Sequence, residues 1–150
     1  MKINNECINL IKKYEGCELE AYPDPATGGI PWTIGYGNTY YEDGTKVKKG
    51  DKITQSRADQ LILNLLDHYE KGVDAMTIDD ISQNQFNALV SFAWNLGVQS
   101  LKSSTLLKKV NINPNDKSID AEFAKWNRGN GKIMAGLVAR RAAESKMYFS

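Results

Sequence analysis

A chain of 150 residues and 16.8 kDa, 41% hydrophobic and 25% charged, reads as one globular domain that buries about 68–70% of its unfolded surface without a metal or a disulfide. A net charge of +1, an isoelectric point near 7.7 and a mean hydropathy of -0.47 exclude an integral membrane protein and a polyelectrolyte tail, and give nucleic-acid binding no global support. No segment reaches the roughly 20 apolar residues of a membrane span, and charges at Lys2, Glu6, Lys12, Lys13 and Glu15 interrupt the apolar core an export signal needs.

Along the chain, residues 1–16 are expected to be helical, because Ile8, Ile11 and Tyr14 share a face, Cys7 and Leu10 widen it, and Gly16 offers a stop. Cys7 and Cys17 fall on or beside that helix, about 15 Å apart at ~1.5 Å per residue, too far for a disulfide. Free thiols suit a protein that folds in the cytoplasm, and neither they nor the lone His68 have metal-ligand spacing. Seven of the twelve glycines lie in residues 16–50 with Pro23, Pro25, Pro31 and aromatics between them, so residues 17–52 predict a small antiparallel sheet lobe. Residues 53–150 predict a helical lobe. Leu61, Ile62, Leu65, Leu66 and Tyr69 mark one amphipathic helix, and Phe86, Leu89, Val90, Ala93 and Trp94 a second. Ser82 and Gln85 form a capping box at the start of the second, and Gly97 stands at its end. Shorter helices are expected around Leu101–Val110, around Ile119–Trp126 and over Met134–Met147. The fold class is therefore α+β, mainly α, in a single domain.

Charge divides unevenly, with a balance of -5 over residues 1–80 and +6 over residues 81–150. That is either ordinary surface variation or a basic half that meets a polyanion while the acidic half holds carboxylate chemistry. Glu15 continues the apolar stripe of the first helix. Desolvation there would raise its pKa and keep it protonated as a general acid, whereas a frayed helix end would leave it in water. Asp24, between Pro23 and Pro25, either bonds its own backbone or supplies the second carboxylate of a glycosidase. Gly35-Tyr36-Gly37 lacks the third glycine, lysine and acidic partner of a nucleotide loop, and is expected to be a tight turn carrying Thr33 and Tyr36 toward one cleft.

Lys13-Tyr14-Glu15-Gly16, Glu20-Ala21-Tyr22, Asp24 and Thr33-Ile34-Gly35-Tyr36-Gly37 come first. Ala88 to Gly97, Ser104-Thr105-Leu106-Leu107, and Trp126-Asn127-Arg128 through Gly136-Leu137-Val138-Ala139-Arg140-Arg141 follow. In this order, over nearly the whole chain, these motifs resemble the phage-type lysozymes, the endolysins of glycoside hydrolase family 24. The resemblance implies a lysozyme-like fold and a bacteriolytic muramidase cleaving the β-1,4 bond between N-acetylmuramic acid and N-acetylglucosamine with inversion. It implies Glu15 as general acid, Asp24 as the base that activates water and Thr33 as its helper, with carboxyl groups roughly 6.5–9.5 Å apart.

The implied partner is bacterial peptidoglycan, met by a monomer that uses no cofactor or metal and does not insert stably in membranes. Such a protein is expected to be made in the cytoplasm and to reach the wall once the membrane is opened. The 25–31 turn is longer than the family's usual spacing, and Asn38 stands where the family commonly has His, which removes an ion pair but keeps hydrogen bonding. Tyr36, Trp94, Asn95 and Ser104 are expected among substrate-contacting residues. Trp94 fits the core better than the cleft, which leaves Asn95 as the sugar contact, and Ser104 equally fits a helix N-cap. Arg141, on the inner face of its helix, needs a partner, either Glu15, which Arg140 would meet instead if the helix is rotated, or a surface pair with Glu144. A silent wall-binding module with this fold would bind peptidoglycan without releasing reducing sugars, and an enzyme for chitin would cleave chitin oligomers.

Overall fold

The computed structural model describes residues 1–25 and 27–150, so Ala26 of the lengthened 25–31 turn lies outside the described residues. Contacts group the chain into two compact units, residues 12–68 and residues 1–11 with 69–150. The first helix, α1 (Asn5–Tyr14), is shorter than its expected span. Asn4 starts it, since its carbonyl accepts from the amides of Cys7 (3.1 Å) and Ile8 (3.3 Å) and its side-chain oxygen from that of Glu6 (3.2 Å). Its apolar stripe buries Cys7 and Ile11 completely, and both Cys7 and Cys17 are free thiols.

In the unit of residues 12–68, β1 (Glu18–Tyr22) and β2 (Thr33–Gly35) pair antiparallel, with Glu18 opposite Gly35, Tyr22 opposite Thr33 and an irregularity between. The other edge of β1 bonds residues 51–53: the Ala21 amide donates to Asp51 O (2.9 Å) and the Ile53 amide to Leu19 O (2.8 Å). Ile34 and Asn38 exchange two backbone bonds of 2.9 Å, closing the Gly35-Tyr36-Gly37 loop. Gly35 (φ 66) and Gly37 (φ 104) take the left-handed conformations that such a loop demands. A further antiparallel bridge joins Tyr40 to Lys46. Ile34, Val47 and Leu61 form the core, flanked by Ala21, Trp32, Tyr41 and Ile53. Leu61 comes from α2 (Gln55–Met76), whose Ala58, Leu61, Ile62 and Leu66 recur at helical spacing and are buried.

The other unit is built on α3 (Gln83–Leu96). Both bonds of its capping box are present, and the Gly97 amide donates to Ala93 O (2.7 Å) at its end. Every residue from Gln85 to Ala93 is buried, so this helix runs through a core on all sides. The expected helix around Leu101–Val110 is two helices, α4 (Val98–Lys102) and α5 (Thr105–Ile112), separated at Ser103 and Ser104. After α6 (Ile119–Ala124) comes a hairpin that the sequence reading lacks, β3 (Arg128–Gly129) with β4 (Lys132–Ile133). The last helix is α7 (Ala135–Tyr148). Phe92 of α3 meets Phe123 edge-on at 6.0 Å and Trp126 at 5.4 Å, and Phe123 meets Tyr148 of α7 at 5.6 Å.

Candidate active site

Glu15 follows the last residue of α1 and precedes β1. It is half-buried, and with Gly16, Glu18, Tyr22 and Gly37 it lines an open recess of about 410 Å3. Glu18 and Tyr22, four apart on β1, share its face. They are additions to the expected set, which the irregular pairing between Glu18 and Tyr22 hid from the sequence.

Asp24, also half-buried, lies two residues beyond β1. The turn after it is closed through the Asp24 main chain: its amide donates to Gly29 O (3.0 Å), and its carbonyl accepts from the amides of Gly28 (2.7 Å) and Thr27 (3.2 Å). Thr33 opens β2 directly across from Tyr22, so pairing of the two strands brings the threonine beside the strand end from which Asp24 projects. Among the described residues the Thr33 hydroxyl has no hydrogen-bond partner, which leaves it able to hold a water or a sugar hydroxyl. Asp24 and Thr33 thus belong to the β1–β2 hairpin, while Glu15 precedes it and the described lining of its recess includes neither; the three groups are of the donor and acceptor types that hydrolysis of an acetal uses.

Tyr36 departs from its expected place as a substrate contact. Its ring is buried, and its hydroxyl accepts from Gln55 Nε2 (3.0 Å) and donates to Asp59 Oδ1 (3.4 Å). Lys12 pairs with the same carboxylate at 2.9 Å and lies 5.3 Å from the Tyr36 ring centre. Lys12, Gln55 and Tyr36 hold Asp59 below the ordinary carboxylate range, and burial pushes the Tyr36 phenol up. The reason is the tight loop itself, which turns the residue between its two glycines inward. Asn38 is also buried and donates to Leu61 O (3.4 Å), tying the loop to α2.

In the second unit, Trp94 is half-buried with its ring 5.3 Å from that of Tyr69. Asn95 is half-buried too, and its Oδ1 accepts from an Arg141 guanidinium nitrogen at 2.6 Å. Of the two readings of Ser104, the N-cap is found: its buried hydroxyl donates to Leu101 O (2.6 Å) and accepts from the Leu107 amide (3.0 Å) at the start of α5. Of the two partners expected for Arg141, Glu144 is found at 2.9 Å, but inside the protein rather than at its surface, with 1% and 0% of the two side chains exposed. Ser91 donates to the same carboxylate at 2.6 Å. Burial pushes the Glu144 carboxyl up against the pull of Arg141, while the same burial shifts Arg141 down and leaves it a cation, as guanidinium groups remain.

Residues 12–144, which include Glu15, Asp24 and Thr33, match the profile of the family described as Phage lysozyme. The chain belongs to the phage lysozyme family. It is 39% identical over 150 residues to the endolysin of Bacillus phage B103, of whose length it spans 55%. It is 33% identical to the endolysin of Salmonella phage P22, with 100% of this chain and 99% of that one covered. The solved structure of the endolysin from Escherichia coli O157:H7 phage FAHEc1 matches with a TM-score of 0.89 at 34% identity, over 100% of this chain and 94% of that one. The chain thus spans about half the length of the Bacillus phage relative and nearly all of the P22 one. As in its phage lysozyme relatives, the fold is mainly helical with a small antiparallel sheet, the α+β class expected from the sequence.

Proposed function

We propose that this phage lysozyme family member hydrolyses the β-1,4 bond between N-acetylmuramic acid and N-acetylglucosamine of bacterial peptidoglycan, and does so as an endolysin at host lysis. The observation that carries the reading is Glu15 at an open recess of about 410 Å3, in a chain of this family. Glu15 protonates the glycosidic oxygen as the bond breaks. Asp24 takes the proton of the attacking water, and Thr33 orients that water through its hydroxyl. Attack from the face opposite the leaving group inverts the anomeric centre, which requires the carboxyl groups of Glu15 and Asp24 to stand roughly 6.5–9.5 Å apart with the water between them.

Asn95 has its amide oxygen on Arg141, so its NH2 group is the part that meets an acetamide or hydroxyl oxygen of the substrate. Trp94 contributes an apolar ring surface beside it. The protein acts as a monomer, is made in the cytoplasm and meets the wall once the membrane has been opened. Among the described residues no helix is long and apolar enough to cross a membrane.

Digestion of purified peptidoglycan, followed by borohydride reduction and mass spectrometry, tests the bond. Reduced muramic acid ends are expected; reduced glucosamine ends, anhydro ends or binding without cleavage contradict the reading. Proton NMR during the first turnovers tests the stereochemistry, with the α-anomer expected to appear first.

A further inference from the structure

The unit of residues 12–68 has a second concavity, of about 280 Å3, whose walls include Ile30, Pro31, Trp32, Tyr40 and Lys46. Its construction is specific. Tyr40 and Lys46 are directly paired by an antiparallel bridge, which sets an aromatic ring and an ammonium group side by side on one face. The neighbouring backbone bonds, from the Val47 amide to Thr39 O (3.0 Å) and from the Tyr41 amide to Thr45 O (2.9 Å), hold that pair in place. Trp32 packs against the core cluster of Ile34, Val47 and Leu61 and offers its remaining surface to the concavity. Trp32 and Ile34 share one face of the chain at β2 and Thr33 takes the other, so this concavity and the candidate catalytic threonine lie on opposite faces.

Apart from Trp32, these side chains are largely exposed. Ile30 is 79% exposed and Tyr40 51%, more than any other large hydrophobic residue described in this unit. Among the described residues the Tyr40 hydroxyl has no hydrogen-bond partner and Lys46 no carboxylate partner. An adjoining set of apolar and aromatic surfaces with one phenol and one free cation is an uncommon exposure for a small protein, and such patches mark binding sites.

We propose that this concavity is a second binding site for the wall, holding one sugar ring of a peptidoglycan strand away from the catalytic carboxylates. The proposal rests on the muramidase reading for the identity of the polymer. The aromatic and proline surfaces cover the C–H face of a pyranose, and the Tyr40 hydroxyl meets its oxygens. Lys46 selects which polymer: peptide stems on muramic acid carry carboxylates, whereas chitin carries none, so charge complementarity commits the site to peptidoglycan. A volume at the lower end of ligand pockets, which run from ~300 Å3, suits a single ring and weak binding. Its effect is to keep the protein on the strand between cleavage events by raising the local concentration of bonds at the recess.

The test is sedimentation with purified peptidoglycan in the Glu15→Gln background, which removes cleavage from the measurement. Tyr40→Ala and Lys46→Glu are compared with their parent, each shown by circular dichroism to be folded. Both residues are exposed, so neither change opens the core. Each is expected to weaken wall binding about 3- to 10-fold. With cleavage restored, each is expected to raise KM on insoluble wall while leaving kcat unchanged. On chitin beads, Tyr40→Ala weakens binding and Lys46→Glu does not. Unchanged wall binding in both variants overturns the proposal, as does competition by free stem peptide equal to that by a disaccharide-peptide. Weaker wall binding in the variants, together with a wild-type Glu15 chain that releases no muramic acid ends, would sink the muramidase reading and leave this site standing. Intact cleavage with unaltered binding would do the reverse.

Discussion

Arg141 and Glu144 are charged groups taken wholly out of water, and burial decides what their removal does. Besides Glu144, the guanidinium of Arg141 has the ring of Phe92 at 5.2 Å and a bond to Asn95. Glu144→Ala is expected to cost about 3–5 kcal/mol, because it leaves a buried cation without its counter-charge. Arg140, also buried and 3.6 Å from the same carboxylate, loses it in either case, so Arg141→Met combined with Glu144→Leu is expected to recover only the part of the cost owed to Arg141, and urea unfolding of both variants measures that part. Ser104→Ala loses only a helix cap and is expected to cost about 0.5–2 kcal/mol, with kcat on peptidoglycan unchanged; a fall in kcat would return Ser104 to the substrate. Glu122, buried between Lys109 (2.8 Å) and Lys125 (2.9 Å), has its carboxyl held below its ordinary value of 4.5. A lowered carboxyl contributes stability above the unfolded value and loses it as pH falls through the folded one. The stability gap between wild type and Glu122→Gln is therefore expected at pH 7 and should close toward pH 3. Periodicity in the sequence identifies Arg141 as inward-facing. Its partner was legible only as one of two, because choosing between them takes knowledge of which helices pack together.

Among the elements, α3 was the most legible, since its capping box, its terminal glycine and its apolar spacing all agree and nothing in the packing opposes them. The β3–β4 hairpin was equally marked and went unread. Asn130 (φ 52) and Gly131 (φ 77) both take positive φ in a two-residue turn, the pattern that an Asn-Gly pair signals. Gly131→Val is expected to destabilise the hairpin by about 1–2 kcal/mol, visible as faster amide exchange at Lys132 and Ile133 with little change elsewhere. The helix expected around Leu101–Val110 broke because Ser104 satisfies backbone groups at a helix start better than it continues one. The same local competition separates the fates of Thr33 and Tyr36. Strand pairing brings the threonine to the end of β1, while the glycines on either side of the tyrosine let the loop fold its ring inward.

At the scale of the whole chain, charge is the property that sequence alone supplies, with residues 81–150 carrying a balance of +6 and residues 1–80 one of -5. Peptidoglycan stems are anionic, so binding to the wall is expected to weaken as ionic strength rises and the Debye length contracts from ~30 Å at 0.01 M to ~8 Å at 0.15 M. Sedimentation across that range measures the effect, and a salt-independent affinity would assign binding to uncharged contacts alone. Family and fold class were legible in full, because ordered motifs spread over the chain are hard to meet by chance. The recess was legible only at Glu15, since Glu18, Tyr22 and Gly37 join it through strand alternation and a turn that composition does not specify. The central claim is that Glu15 is the acid of a wall-cleaving enzyme. The direct measurement is release of reducing ends from purified peptidoglycan by the wild type and by Glu15→Gln, both folded by circular dichroism. The account predicts cleavage by the wild type and a loss of at least about 10²–10⁴-fold in the variant. Equal release by the two proteins would contradict it, and so would binding of the wall by both with release by neither.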